Sequence, residues 1–351
     1  MSTLTVGELT SAIAAIAPFD AAAGWDPVGL QLGDRKEPAG TVAVCHEVTS
    51  PVVDAVLDRS VDTLVTYHPL LFHATRRLVA GQGASGRAHR LIRAGVNLVV
   101  VHTAFDVAPG GTADALAHAL GLEEVSGFGP LWGPNVVRLV TYATSDQSPL
   151  VRAALAAAGA GSLAGATGCS FRSTGVAAAT SVEETVERIE MLVDVGKLDV
   201  VVAALGAVSA DPRPRYDVFE ARGNAAYVGR VGALPAPLPI TDFAASVGKR
   251  LMITPRLAAG GVALVDRVAV LPGSGGSMLD AAAATGADAF VTGDIAHHQA
   301  RLANECGLAV VDAAHGPTER PGVGRLYAAV ANVVDVAHDV TAIDASPWEA
   351  T

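Results

Sequence analysis

His315 and Glu319 stand four residues apart in Val310-Val-Asp-Ala-Ala-His-Gly-Pro-Thr-Glu319, directly after an apolar run. Earlier in the chain Val99-Val-Val-His102-Thr-Ala-Phe-Asp106 repeats that grammar: apolar run, histidine, carboxylate four residues on. An imidazole with a carboxylate is a borderline donor pair suited to Zn, Mn, Fe, Co or Ni. Two such pairs point to a metal site assembled from two halves of the chain. A His–carboxylate pair at this spacing also occurs as an ordinary pair on a helix surface. The elements around the pairs must therefore decide between the two readings.

The candidates share one placement. His68 ends Leu64-Val-Thr-Tyr-His, and His102 and Asp106 follow Leu98–Val101. Asp294, His297 and His298 follow Phe290–Thr292, and His315 and Glu319 follow Ala309–Val311. In parallel sheets ligands gather at the carboxyl ends of strands. A single histidine after a strand is more often a loop residue bonded locally, but four such strand ends go beyond scatter. His46-Glu47 also follows a strand but lacks a partner signal, and His73, His89, His118 and His338 read as structural or exposed. Leu271-Pro-Gly-Ser-Gly-Gly-Ser277 lies between a strand and a helix. It reads equally as a tight turn or as a phosphate cradle, and it matches neither the Walker A nor the dinucleotide pattern. Pro109-Gly-Gly-Thr112 is a turn with Thr112 as the expected helix cap.

The elements that must position these residues alternate. Helices are predicted over Val6–Ile16 with Thr5 as cap, Pro51–Asp58 after Ser50, Ala88–Ala94 and Gly111–Leu120; strands over Val42–Cys45, Thr63–Thr66 and Val96–Val101. The C-terminal part repeats the pattern. Its strands are Val268–Leu271, Ala289–Thr292 and Leu308–Val311, and its helices Ser277–Ala284, His297–Cys306 and Arg325–Val334. Such alternation argues for an α/β protein with a mostly parallel sheet. Asp62-Thr-Leu-Val-Thr-Tyr-His68 aligns with Asp288-Ala-Phe-Val-Thr-Gly-Asp294, which suggests an internal duplication. Between the halves, roughly Asn135 to Tyr227, the order β-α-β-β-α-β is that of a ferredoxin-like unit. Gly127–Gly133 reads as its entry and the prolines at 235, 237 and 239 as its exit. The expected domains are thus residues 1–130 and 230–351, packed together, with 131–229 inserted.

Half of the 351 residues are hydrophobic, few of them aromatic, and the net charge is −11. An acidic chain without a basic run disfavours nonspecific nucleic-acid binding. Cys45, Cys169 and Cys306 are far apart, so neither a disulfide framework nor a thiolate zinc site is supported. No basic residue precedes the apolar Ala12–Ala17 stretch, and no apolar run reaches the roughly 18 residues needed to span a membrane. The expected location is cytoplasmic.

An ordered set of motifs then carries a resemblance. It comprises Trp25-Asp-Pro-Val-Gly-Leu-Gln-Leu-Gly33, Tyr67-His-Pro-Leu-Leu-Phe72, His102-Thr-Ala-Phe-Asp106 with Pro109-Gly-Gly111, Gly273-Ser-Gly-Gly-Ser277, Thr292-Gly-Asp294 with His298, and Asp312-Ala-Ala-His-Gly-Pro-Thr-Glu-Arg320. Together they resemble the Nif-three-like dinuclear metal proteins, also called GTP cyclohydrolase 1 type 2 homologues. Gly168-Cys-Ser-Phe-Arg172 resembles the PII- or CutA-like insert of the longer members. The resemblance implies two α/β halves around two divalent ions (Zn, Mn, Fe or Ni) and a homohexamer. It implies His68, Asp106, His315 and Glu319 as metal ligands. Of these Glu319 is the best candidate to bridge the metals, and His102 and His298 are candidates either to support the ligands or to carry protons. Many members carry two adjacent histidines where this chain has Tyr67-His68, so Tyr67 stands where a ligand is often found. The implied function is a metal-dependent hydrolase acting on a nucleotide or phosphoester; a non-catalytic metal-binding regulatory or scaffold protein is the alternative.

Overall fold

The computed structural model describes residues 4–131, 136–161, 167–179, 182–209, 211, 214–221, 226–334 and 337–343. The chain divides into two compact units, Met1–Leu131 with Ala226–Thr351, and Trp132–Ala225.

The first unit starts with α1 (Val6–Ile16), capped by the Thr5 hydroxyl and closed into a capping box by Glu8. β1 (Gly29–Leu32), β2 (Val42–Cys45), α2 (Ser50–Asp58), β3 (Thr63–Thr66), α3 (Gly83–Arg93) and β4 (Asn97–Val100) follow. Thr49, rather than Ser50, caps α2, and α3 begins five residues before its predicted start. β2, β3 and β4 are buried at every position, as near-continuous apolar runs in a parallel sheet should be. His102 opens a short helix, α4 (His102–Val107), where a loop was expected. It leads into α5 (Thr112–Ala119), whose cap position is Gly111 and not Thr112. β5 (Glu123–Leu131) ends this stretch.

The second unit contains β6 (Val136–Ala143), α6 (Ser148–Ala157), β7 (Phe171–Ala179), β8 (Val182–Asp194), α7 (Leu198–Val208) and β9 (Tyr216–Glu220). Its antiparallel sheet has the order β7-β8-β6-β9 and its own core around Leu139, Leu155, Ile189, Met191 and Leu205.

The first unit resumes with β10 (Ala226–Pro239), α8 (Ile240–Leu251), β11 (Arg256–Ala258), β12 (Leu264–Ser274), α9 (Leu279–Ala283), β13 (Ala289–Gly293), α10 (His297–Glu305), β14 (Ala309–Asp312), α11 (His315–Ala331) and β15 (Ala337–Asp339). Of the stretch read as the entry, residues 127–131 lie in β5 and residues 132–133 lie outside the described residues; the prolines read as the exit lie in β10, which pairs antiparallel with β5. The prolines at 235, 237 and 239 alternate along β10, where the register shifts between Ala233 and Leu238. This is the irregular setting in which a strand tolerates proline.

The two sheets of the first unit have matching topology: β1-β4-β3-β2-β15 and β11-β14-β13-β12-β10-β5. In each, three parallel strands run in sequence order, and the strand preceding them pairs antiparallel with the third. The aligned aspartates do the same work in both. Asp62 accepts the Thr41 amide at 2.7 Å and Asp288 accepts those of Asp266 and Arg267 at 2.9 and 2.8 Å, each pinning the start of the neighbouring strand. The two similar α/β halves are therefore a topological repeat, although both sheets are mixed at their edges.

α11 ties the halves together. It starts where β14 of the second sheet ends, yet Val323, Leu326 and Val330 pack into the core of the first sheet with Val44, Val65 and Val99. Burying each such side chain stabilises by roughly 1.5–3 kcal/mol. The helix was expected over Arg325–Val334. It begins ten residues earlier, at His315. Gly322 has a packing reason, since a Cβ there would lie 2.6 Å from the Thr112 Cα of α5.

Leu131 and Ala226 are partners in the β5–β10 ladder. The ends of the second unit's chain therefore leave the first unit one hairpin turn apart. Replacing residues 132–225 by Asn-Gly, a favoured two-residue hairpin turn, is expected to leave a folded first unit that still binds metal. Circular dichroism and elemental analysis check this; an unfolded or metal-free product would contradict it.

Candidate metal centre

The site is built on strand ends of the first sheet. The ladder between β2 and β3 continues past the strands: Tyr67 N donates to Cys45 O at 3.1 Å and His68 N to His46 O at 2.9 Å. His102 N likewise donates to Tyr67 O at 2.9 Å. These bonds set His46, Tyr67, His68 and His102 side by side along one sheet edge. The Thr66 hydroxyl faces the carbonyls of His46 (3.3 Å) and His68 (2.9 Å) and fixes both turns.

α11 brings the acid. Glu319 is 3% exposed, and its Oε2 lies 2.8 Å from His46 Nε2 and 3.1 Å from His68 Nε2. Its Oε1 lies 3.1 Å from His315 Nε2 on the preceding helical turn. The His46, His68 and Glu319 ligand atoms all fall within 4.8 Å of one another. Three imidazoles thus converge on one buried carboxylate. Burial alone would raise the Glu319 carboxyl, but hydrogen bonds from His315, His46 and His68 outweigh it and hold it well below the usual range.

Further carboxylates orient the rings. Asp294 Oδ2 lies 2.6 Å from His315 Nδ1, which leaves Nε2 for Glu319. The hydrogen bond to Glu319 is the main cause that lifts the His315 imidazole to about 9, with Asp294 adding to it against the effect of burial. Asp26 Oδ1 lies 2.9 Å from His102 Nδ1, and its other oxygen accepts the Thr103 amide at 3.0 Å. Burial pulls His102 down, but the Asp26 hydrogen bond and charge win and raise it above the ordinary histidine value. Carboxylate–histidine pairs of this kind fix ring orientation and tautomer at metal sites. His102, Asp294 and Ala314 all have positive φ (29°, 57° and 60°). Each such non-glycine conformation costs on the order of 1–3 kcal/mol and is held by its surroundings.

The glycine-rich stretch closes the site from the second sheet. Gly273, at φ +68°, donates its amide to Thr318 Oγ1 at 2.9 Å. A Cβ there would stand 2.7 Å from Glu319 Oε1 and 3.4 Å from His315 Nε2. The role visible at Gly273 is neither of the two expected of this stretch, tight turn or phosphate cradle, but close backbone approach to the carboxylate, with its amide already engaged by Thr318.

His68, His315 and Glu319 thus converge. Asp106 does not hydrogen-bond to this group; its Oδ1 accepts the Tyr67 phenol. Burial, against the effect of that bond, raises the Asp106 carboxyl to about 6, while burial and the Asp106 charge drive the Tyr67 phenol well above its ordinary value. His102 stands beside the group, its ring 5.1 Å from that of His68. His298 is exposed in the first turn of α10 and shares no hydrogen bond or ring contact with the cluster among the described residues. His46 was passed over because the sequence shows no partner signal for it. The usable signal was its position one residue past β2, in register with the turn after β3, where His68 stands two residues past the strand end.

The donor set suits a divalent cation. Neutral imidazole nitrogens and a carboxylate are the ligands preferred by borderline metals, and among the described residues no lysine or arginine is paired with Glu319 to explain its burial. A measurable consequence holds for the metal-free protein. His315 should titrate near 9 by NMR rather than near the ordinary value of about 6.5. Its folded value exceeds its unfolded one, so its contribution to stability is complete below about pH 6.5 and is lost as pH rises through about 9. A titration at or below 6.5 would contradict the Glu319 pairing.

Two similar α/β halves joined by a long helix, with histidines and carboxylates gathered on strand ends, define a class of α/β proteins with a candidate metal centre between two sheets. Comparison with known proteins gives the family: the model described as Duf34/NIF3 (NGG1p interacting factor 3) matches residues 4–347, and the chain belongs to that family. A GTP cyclohydrolase 1 type 2 homolog of Mycobacterium leprae is 33% identical over 331 residues, covering 87% of this chain and 84% of that one. One from Bacillus subtilis is 30% identical, covering 83% and 82%. Among solved structures, a Bacillus cereus protein related to NIF3 aligns over 100% of both chains with a TM-score of 0.69 and 27% identity. Among the described residues no helix is long and apolar enough to cross a membrane.

Proposed function

We propose that this protein is a divalent-metal-dependent hydrolase acting on a nucleotide or phosphoester. The observation that carries the reading is the convergence of His46, His68 and His315 on the buried Glu319 carboxylate. Glu319, whose Oε2 faces His46 and His68 and whose Oε1 faces His315, would hold the cations, together with these imidazoles. Bound there, divalent ions would supply Lewis acidity and an activated water at neutral pH. His102 does the proton work. With Nδ1 held by Asp26 and its proton affinity raised, it keeps a proton at Nε2 for a leaving group. His298, exposed at the start of α10, is assigned a lesser role as a proton carrier from solvent.

The nucleotide class has a specific support. Trp25 and Phe72 are 64% and 45% exposed, lie 5.7 Å apart ring to ring, and flank His102 at 6.1 and 6.4 Å. Exposed aromatic faces beside a metal cluster suit the stacking of a planar base. The relatives' name points to GTP, whose ring opening is a hydrolysis of this kind. The proposal includes a homohexamer that resides in the cytoplasm, with residues 131–229 as a PII- or CutA-like inserted module. Sedimentation tests the assembly by a single species at six times the chain mass.

The activity test is a screen of metal-loaded and chelator-treated protein against nucleotides, GTP first, and phosphoesters. Metal-dependent product is the expected result. Tight binding without product would favour the non-catalytic regulatory or scaffold role, and neither binding nor product would sink the proposal.

A further inference from the structure

We infer that the two cation positions of this centre are unequal: His46, His68 and Glu319 form the tight one, and Tyr67 holds Asp106 back from the second. The inference rests on the metal reading above and goes beyond it, because it assigns a ligand, His46, and a withholding residue, Tyr67.

The first position is preassembled. Both Nε2 atoms already face the same oxygen, Glu319 Oε2, at 2.8 and 3.1 Å. A tetrahedral shell with ligands at ~2.1 Å spaces them roughly 3.4 Å apart, so these contacts need open by only a few tenths of an ångström. The backbone behind them is fixed by the Thr66 hydroxyl and the His68–His46 amide bond. Little ordering remains to be done on binding, which favours affinity.

The second position lacks this. On the Oε1 side of Glu319 stands His315, held by Asp294. The remaining acid, Asp106, is hydrogen-bonded to the Tyr67 phenol. Tyr67 is 1% exposed and packed among Val65, Val99, Val101 and Phe105, so its ring cannot swing away without opening the core. The phenol already occupies Oδ1, so a cation drawing on Asp106 must share the carboxylate and use Oδ2 alone, or displace the phenol and strand a buried hydroxyl, which is costly. The neutral phenol itself is a poor donor to a divalent metal beside imidazole or carboxylate. The chain therefore gains a ligand at 46 and disengages one at 106.

The test is calorimetric titration of the metal-free full chain with Zn²⁺, paired with elemental analysis after gel filtration. The wild type should take one tight equivalent and a second at least about ten-fold weaker. His46→Ala should weaken the tight equivalent by on the order of 100-fold, at the upper end of what a displaced supporting group costs a metal site. Asp106→Asn should leave the tight equivalent unchanged. Tyr67→Phe, which keeps the ring and frees Asp106, should tighten the second equivalent. Circular dichroism checks that each variant is folded. Two equally tight equivalents in the wild type, a tight equivalent that survives His46→Ala, or its loss in Asp106→Asn would each overturn the inference and leave the metal reading standing. A wild type that binds no Zn²⁺ would instead defeat the metal reading itself.

Discussion

Glu319→Gln is expected to abolish tight metal binding and every metal-dependent activity while the fold survives. The amide keeps the shape and can still meet His46, His68 and His315, which surround the carboxylate at 2.8–3.1 Å. It cannot supply the negative charge or bridge two cations. Metal affinity should fall by on the order of 100-fold or more, since an open, uncharged carbonyl replaces the one carboxylate shared by three imidazoles. The metal-free protein should lose some stability at neutral pH, because His315 loses the charge that lifts it to about 9, a loss partly offset by the removed desolvation cost of the carboxylate. His338→Gln on β15, whose strand pairs with β2 away from the cluster, is the control and should change neither metal content nor activity. Elemental analysis with thermal unfolding checks both. Full metal content in Glu319→Gln would reduce Glu319 to a helix partner of His315.

Gly273→Ala should have the next largest effect, and for a different reason. No ligand is removed. A single methyl would enter 2.7 Å from Glu319 Oε1, at a residue whose φ of +68° disfavours any side chain. The left-handed conformation alone costs roughly 1–2 kcal/mol in an alanine, which should appear as a lowered unfolding midpoint. The methyl must push the Glu319–His315 pair aside, so metal affinity should fall at least about ten-fold, as for displaced supporting groups at other metal sites. Gly261→Ala is the comparison, at φ +82° with open space around its Cβ. It should lose similar stability and no metal affinity. Equal metal loss in both variants would mean that backbone strain, and not the approach to Glu319, sets the effect.

These two variants separate what was legible in the sequence from what was not. The strands β2, β3 and β13 were readable because short β-branched runs ended by polar residues admit little else, and α1 because Thr5 and Glu8 announce its start. The repeated halves were visible through Asp62 and Asp288, which turn out to make the same hydrogen bonds. Glycine and proline misled the reading wherever they sat inside elements. The prolines of β10 and the glycines of β5 were read only as the exit and entry of the inserted unit, and the first ten residues of α11 were given no element, since local punctuation cannot reveal that tertiary packing will override it.

The site was legible in its acid and two of its histidines. His68, His315 and Glu319 lie where strand ends predicted a ligand edge. His46 was set aside because nothing nearby in sequence signals a partner: its partner Glu319 lies 273 residues away, on another element. Asp106 was placed among the ligands by its spacing from His102, its strand-end position and the resemblance. The equal spacing of His102–Asp106 and His315–Glu319 hides unlike geometry: the second pair bonds internally, while His102 turns to Asp26 and Asp106 to Tyr67. Spacing fixes which turn of a helix a residue occupies and says nothing of which partner reaches it first.

The most direct measurement is anomalous diffraction at the metal edge from crystals of the protein purified without chelator. A peak within bonding distance of His46 Nε2, His68 Nε2 and the Glu319 carboxylate is the expected result. Ordered density for these side chains, with no anomalous peak among them even after soaking in Zn²⁺ or Mn²⁺, would contradict the metal centre on which the account depends.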